Sequence, residues 1–139
     1  MYKKILLASD GSENAGRAAV EAAGLAKKLS SHVILTYIAG TPQQSKLVKA
    51  NFDVHTILKE DAEEKIKDTI STLNKENIPY TLKVAIGDPA DEIIRIAGNE
   101  EADLIIIGSR GLGTIKSVVL GSVSQKVTHN AKCPVMIIR

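Results

Sequence analysis

The sequence reads GSRG at residues 108–111 and, after nine further residues, GSVS at residues 121–124. This stretch follows an apolar run that ends at Ile107 and precedes a helical pattern that begins at Gly121. Glycine lets a backbone approach a ligand closely, and amides in the first turn of a helix carry partial positive charge. The stretch is therefore typical of an anion-binding loop between a strand and a helix of an α/β protein.

Short apolar runs alternate with helical patterns along the rest of the chain. Runs rich in isoleucine, leucine and valine predict five strands, at residues 3–9, 32–38, 80–86, 103–108 and 134–138. Four helices are predicted between them: an alanine-rich helix at residues 12–30, one long helix whose apolar positions run from Leu58 to Leu73, a helix that starts at Asp88 and Pro89, and a helix from residue 122 to about residue 130.

This alternation predicts an α/β fold with a doubly wound, five-stranded parallel sheet and four helices, because parallel strands need crossover connections that cover both faces. We take the strand order to be 3-2-1-4-5. In such sheets the ligand site lies beyond the carboxyl ends of the strands, where the strand order reverses. Strands 1 and 4 are neighbours there. We therefore expect the loop containing Asp10 to meet the loop that begins at Gly108.

Length and composition bound the possible classes of protein. The 139 residues suit one domain, residues 1–139, and a net charge of +2 is too small to predict nucleic-acid or membrane binding from electrostatics. One cysteine and an early Asp10 that interrupts the first apolar run favour a cytoplasmic protein without a signal peptide. No apolar stretch is long enough to span a bilayer.

Several spaced motifs resemble those of the universal stress protein family. The pattern of Gly108, Gly111, Gly121 and Ser122 resembles its ATP-binding signature, and the resemblance covers nearly the whole chain. Three other motifs agree with it in order along the chain: ILLASDGS at residues 5–12, GDPA at residues 87–90 and AKCPV at residues 131–135. The resemblance implies a Rossmann-like fold, bound ATP where the full glycine pattern is kept, and often a homodimer paired through strand 5, here Val135 to Ile138.

Residues around the glycines are candidates for holding the phosphates of ATP. The amides of Gly111, Gly121 and Ser122 and the hydroxyls of Ser122 and Ser124 can donate hydrogen bonds, and either Arg110 or Lys116 can add positive charge. Ser122 would cap the fourth helix with or without a ligand. Gly108 and Gly111 could instead simply turn the chain after a strand.

Other candidates belong to the nucleoside end of the site. Asp10 can accept a hydrogen bond from the ribose, can hold a magnesium ion carried by the phosphates, or can cap the first helix, and these alternatives stay open. The resemblance implies that Ala8, Ser9 and Ile38 line the adenine and ribose pocket, partly through their backbone groups. The candidate set is completed by Ile107 and Val123.

The remaining motifs set the competing hypotheses. No segment supplies the Gly-x4-Gly-Lys-Ser/Thr of a P-loop, and no residue is an evident base for water, so we expect slow ATP hydrolysis at most.

Cys133 is expected to be a buried apolar-like side chain, and no metal site made by protein side chains alone is predicted. The irregular residues 40–45 after the second strand are a solvated connection or a flap. The apolar last strand also allows a dimeric scaffold that needs no nucleotide.

Overall fold

The computed structural model describes residues 1–40, 54–111 and 120–139. A parallel sheet of five strands lies at its centre, in the order β3-β2-β1-β4-β5 that the sequence predicted. The strands are β1 (Lys4–Ala8), β2 (His32–Ala39), β3 (Tyr80–Ile86), β4 (Leu104–Gly108) and β5 (Val135–Ile138). Since β1 pairs with both β2 and β4, the strand order reverses at β1.

Within the described residues the helices number five, one more than predicted. They are α1 (Glu13–Leu29), α2 (Val54–Lys65), α3 (Lys67–Lys75), α4 (Pro89–Asn99) and α5 (Ser122–Asn130). The predicted long helix is wrong as a single element, because α2 and α3 are separated at Ile66, where the backbone has φ −114° and ψ 24°.

The break escaped the sequence pattern because it hardly disturbs the helical hydrogen bonds. The amide of Ile66 donates to the carbonyl of Ala62 at 2.9 Å, and the amide of Ile70 donates to the carbonyl of Ile66 at 3.1 Å. The apolar spacing of a helix therefore continues across the break, with Ile66 buried. A change of dihedral angles at one residue leaves no trace in such a pattern.

Both faces of the sheet are buried, as its apolar strands predicted. Along β1, Ile5 and Leu7 join the core under α1, α2 and α3, whereas Leu6 and Ala8 join the core under α4 and α5. The alanines of α1 form a broad buried stripe that brings its backbone close to the sheet: Ala15, Ala18, Ala19, Ala22, Ala23 and Ala26. This close packing places the start of α1 beside the end of β4.

Candidate functional site

A cleft of about 250 Å³ opens at the carboxyl edge of the sheet, where the strand order reverses. The structure brings twelve predicted residues together along its walls: Ala8, Ser9, Asp10, Ile38, Ile107, Gly108, Arg110, Gly111, Gly121, Ser122, Val123 and Ser124. Two other predicted features, Lys116 and the flap beyond residue 40, lie outside the described residues. The loops after β1 and β4 do meet, as the predicted topology required.

Five further lining residues were missed by the sequence analysis: Ser12, Ala15, Thr36, Pro89 and Ile93. A signal for Pro89 and Ile93 was available, because a helix that follows a parallel strand begins at the carboxyl edge of the sheet. Thr36 had no such signal. Its place depends on the register between β1 and β2, which pairs Ala8 with Thr36.

One side of the cleft is apolar and continues the hydrophobic core. Ala8, Ile93 and Ile107 are buried members of the core under α4 and α5, and Ile38 and Val123 pack against it. All five residues line the cleft. An apolar wall at the end of a core suits a flat, weakly polar ring more than a charged group.

The polar part of the cleft's lining is formed by loops and helix N-termini. The N-terminus of α1 is capped by the Ser12 hydroxyl, which accepts from the amide of Ala15 at 3.1 Å. Asp88 caps α4 in the same way, accepting from the amide of Asp91 at 3.0 Å. No side chain caps α5: Gly121 occupies the N-cap position and Ser122 is the first helical residue, so the prediction that Ser122 caps this helix is wrong.

The uncapped start of α5 leaves hydrogen-bond donors at the cleft. The amides of Ser122, Val123 and Ser124 belong to the first turn and so have no acceptor within the helix. All three residues line the cleft. Donors of this kind, at the positive end of a helix, favour an anionic group.

Two donors expected to hold phosphate are used inside the protein instead. The amide of Gly121 donates to the carbonyl of Ser109 at 2.6 Å. The Ser124 hydroxyl lies 2.8 Å from the same carbonyl and 3.0 Å from the carbonyl of Gly121. A hydroxyl has one proton to donate, so the Ser124 hydroxyl is used in a hydrogen bond to the protein backbone. At Ser122, the first-turn amide and the exposed side chain remain as candidates for binding phosphate.

The glycines of the loop make room for neighbouring protein groups. A Cβ atom at Gly108 would lie 2.9 Å from the Cβ of Asn14, so the first turn of α1 requires glycine there. A Cβ atom at Gly111 would lie 2.4 Å from a carboxylate oxygen of Asp10. The two glycines thus bring α1 and the Asp10 carboxylate against the loop after β4.

Asp10 shapes the loop before α1 and also lines the cleft. Its Oδ1 atom accepts from the amide of Ser12 at 2.9 Å, whereas Ser12 itself is the helix cap. Arg110, which is half-buried, lines the cleft as well. The polar side therefore carries one acidic and one basic side chain beside the first turn of α5.

Ser9 lines the cleft, but its hydroxyl and its amide are both bonded within the protein. The Ser9 hydroxyl shares a buried hydrogen bond with the Thr69 hydroxyl of α3, with the oxygens 3.2 Å apart. Its amide donates to the carbonyl of Thr36 at 3.0 Å. That Ser9 contacts a ligand partly through its backbone stays a prediction.

Other reactive side chains lie apart from the cleft. Cys133 is half-buried, less than predicted, and burial raises the pKa of its thiol. No group of three or more histidine, cysteine, aspartate and glutamate side chains suited to a metal ion occurs in the described parts of the chain. Nor does any described helix have the length and apolar character needed to cross a membrane.

A family model described as the universal stress protein family matches residues 1–139. The chain belongs to that family. A universal stress protein of Thermus aquaticus is 36% identical over 140 residues, with both proteins covered completely. These matches extend across the sheet, the helices and the cleft described above.

Solved structures of universal stress proteins share the fold. The structure of the Methanocaldococcus jannaschii protein MJ0577 has a TM-score of 0.82 and 29% identity, covering 99% of this chain and 96% of that one. A universal stress protein from Archaeoglobus fulgidus, solved in complex with dAMP, has a TM-score of 0.70 and 25% identity, with 99% and 98% covered. The second of these carries an adenine nucleotide.

Proposed function

We propose that the protein is a regulatory module that binds an adenine nucleotide, ATP with Mg²⁺, in the cleft at the carboxyl edge of the sheet. The observation that carries the proposal is the uncapped first turn of α5 beside an apolar wall. One ligand with a flat ring and a phosphate group would satisfy both sides. A cytoplasmic location is part of the same proposal.

The phosphates are assigned to the α5 side of the cleft. The amides of Ser122 and Val123 would donate to phosphate oxygens, with the Arg110 side chain adding positive charge. The carboxylate of Asp10 is an oxygen ligand of the type that Mg²⁺ accepts, and the ion would lower its repulsion with the phosphates. When bound, Mg²⁺ would supply charge neutralisation between these groups.

The adenine ring is assigned to the apolar wall formed by Ile38, Ile93 and Ile107. Support comes from the Archaeoglobus fulgidus relative, which was solved with dAMP. Micromolar affinity requires about 8 kcal/mol, whereas a charge at one helix terminus contributes about 0.3–1 kcal/mol. The apolar wall must therefore supply much of the affinity.

Thermal unfolding with and without Mg-ATP tests the proposal. At about 100 times Kd, a ligand that binds only the folded state stabilises it by about 2.7 kcal/mol, which raises the Tm of a chain of this size by roughly 10 °C. Mg-GTP, which has the same phosphates and ribose but a different base, is the control for recognition of the adenine ring. An unchanged Tm at millimolar Mg-ATP would contradict nucleotide binding, and mass analysis of any co-purifying small molecule would identify an alternative ligand.

A glycine substitution tests the position of the site. Gly111→Ala would force the Asp10 carboxylate to move, because the new Cβ would lie 2.4 Å from its Oδ2 atom. We expect Mg-ATP affinity to fall at least tenfold in titration calorimetry. Gly24→Ala is the matched control, since nothing lies within 4 Å of a Cβ atom built there on α1, and it should leave the affinity unchanged.

Hydrolysis of the bound nucleotide is expected to be slow at most. Efficient phosphoryl transfer requires an oriented water and charge stabilisation, and the sequence supplied no evident base. Phosphate release from Mg-ATP by the purified protein checks this prediction. Rapid turnover that the Gly111→Ala variant abolishes would contradict it.

A dimeric scaffold is the second candidate, favoured by the edge strand β5. Its Met136 side chain is 37% exposed on a strand at the end of the sheet, and a two-fold pairing of β5 with a second copy would cover it. We expect sedimentation to show a dimer that Met136→Lys converts to monomer. Val20→Lys is the control, because Val20 is an exposed apolar residue on α1. A monomeric wild type would remove the strand-pairing hypothesis.

A further inference from the structure

The glycine loop has two described ends, residues 108–111 and residues 120–122. Ser109 is a buried serine whose backbone joins these two ends. Its carbonyl accepts from the amide of Gly121 at 2.6 Å and from the hydroxyl of Ser124 at 2.8 Å. Its side chain and backbone are 1% exposed. One residue therefore fixes the start of α5 against the end of β4.

Asn14 connects Ser109 to α1. Its Nδ2 atom donates to the Ser109 hydroxyl oxygen at 3.0 Å, and its Oδ1 atom accepts from the Arg17 guanidinium. Asn14 is buried, and its Cβ occupies the space that glycine leaves open at position 108. Arg17, Asn14 and Ser109 thus form a continuous series of hydrogen bonds, which we call the polar chain.

The polar chain also reaches the end of β5. The Nε atom of Arg17 donates to the carbonyl of Arg139 at 2.9 Å, and the amide of Ser109 donates to the carbonyl of Ile138 at 2.7 Å. The first turn of α1, the loop ends and the last strand are consequently held by one set of bonds. None of the three residues of the polar chain lines the cleft.

We propose that Asn14 and Ser109 are positioning residues for the nucleotide site, an inference that rests on the proposed function. They act through Gly121 and keep the first-turn amides of α5 convergent on one point of the cleft. A donor must lie within about 0.2–0.3 Å of its preferred hydrogen-bond distance to be effective, so a loosened helix start weakens anion binding. Buried polar networks of this type hold their members rigidly only when complete.

Two alanine variants and one control separate positioning from general stability. Ser109→Ala and Asn14→Ala should each weaken Mg-ATP binding at least tenfold in titration calorimetry and speed hydrogen exchange at the Gly121 amide in the ligand-free protein. Ser31→Ala makes the same change at Ser31, a serine before β2 that is 1% exposed and whose hydroxyl donates to the carbonyl of Tyr2, before β1. It should lower Tm while leaving both readouts within twofold of wild type.

A conservative variant and a double variant complete the test. Asn14→Asp can accept from both the Ser109 hydroxyl and Arg17, so it should recover affinity to within about threefold of wild type. Because Asn14→Ala and Ser109→Ala break the same bond, the double variant should bind about as well as the weaker single variant. Circular dichroism establishes that each protein is folded before binding is measured.

The outcomes distinguish this inference from the proposed function. If the wild type binds no nucleotide, the proposed function fails, and Gly121 exchange in the ligand-free variants still decides the positioning role. If Ser109→Ala has the same hydrogen exchange at the Gly121 amide and the same Mg-ATP affinity as the wild type, the inference is overturned while nucleotide binding stands. An Asn14→Asp variant as weak as Asn14→Ala would also overturn it.

Discussion

Individual residues at the cleft serve the fold and the site together. The glycine at position 108 was predicted from its place in a nucleotide-binding pattern, yet its nearest neighbour is the Cβ of Asn14, 2.9 Å from where a side chain would begin. Sequence could locate this glycine because the motif is local. It could not identify Asn14 as the reason, because 94 positions along the chain separate the two residues.

Gly108→Ala is expected to destabilise the protein by about 1–3 kcal/mol, since the added methyl group overpacks the contact with α1. Urea unfolding followed by circular dichroism measures the change. Gly24→Ala should instead stabilise by about 0.4–1 kcal/mol, because it is an open position within a helix. A neutral Gly108→Ala would show that α1 can move away from β4 without cost.

Burial also sets the chemistry of the single cysteine. Removal from water disfavours the thiolate and raises the pKa of Cys133. We expect Cys133 to react with a thiol reagent more slowly than a free cysteine at neutral pH, with the rate rising as pH increases. A rate equal to that of the denatured protein would contradict the effect of burial.

Helix ends decide which elements can receive a ligand. Three helix N-termini border the cleft, and side chains cap two of them, Ser12 for α1 and Asp88 for α4. Sequence predicted the cap at Asp88 from the following proline. The predicted cap of α5 by Ser122 was wrong, because Gly121 takes the N-cap position, which the spacing of residues in this stretch does not specify.

The cap of α4 should give a pH-dependent contribution to stability. The amide of Asp91, followed by Lys126 of α5, holds the pKa of Asp88 below its ordinary range. Because the pKa is lower in the folded state, this contribution is present above the unfolded value of about 3.9 and is lost as pH falls through the lowered value. Asp88→Asn should therefore destabilise the protein at about pH 6 and have a smaller effect at about pH 2.5, below the unfolded value.

Ser12→Ala provides the comparison for Asp88. Loss of this cap should cost about 1 kcal/mol at both pH values, because the Ser12 hydroxyl does not titrate. Urea unfolding at the two pH values measures both variants. An Asp88→Asn effect that is equally large at low pH would show that the carboxylate charge contributes nothing.

At the scale of the whole molecule, one sheet carries two cores. Leu6 and Leu7 are adjacent in β1 and both fully buried, yet they belong to the cores on opposite faces. The sequence predicted this arrangement, since a strand apolar on successive residues must be covered on both sides. It did not predict the break at Ile66, because the helical spacing of apolar residues continues across it.

The two cores are expected to unfold together because they share the sheet. Leu6→Ala should lower the free energy of unfolding by about 2–5 kcal/mol and should speed global hydrogen exchange in α1, although Leu6 packs on the side of α4 and α5. Leu7→Ala should produce the same pattern from the other face. Protection of α1 that Leu6→Ala leaves unchanged would contradict cooperative unfolding.

The sequence by itself determined the strands, their order, the cleft's place at the carboxyl edge and most of its lining. These properties follow from apolar spacing, crossover rules and local motifs, and the lining by Ala8, Ser9 and Ile38 from the family resemblance. Only the tertiary structure decided which donors face the cleft, because Ser109 takes the Gly121 amide and the Ser124 hydroxyl for the protein itself. Hydrogen bonds between distant segments require their positions in space, and no spacing along the chain specifies them.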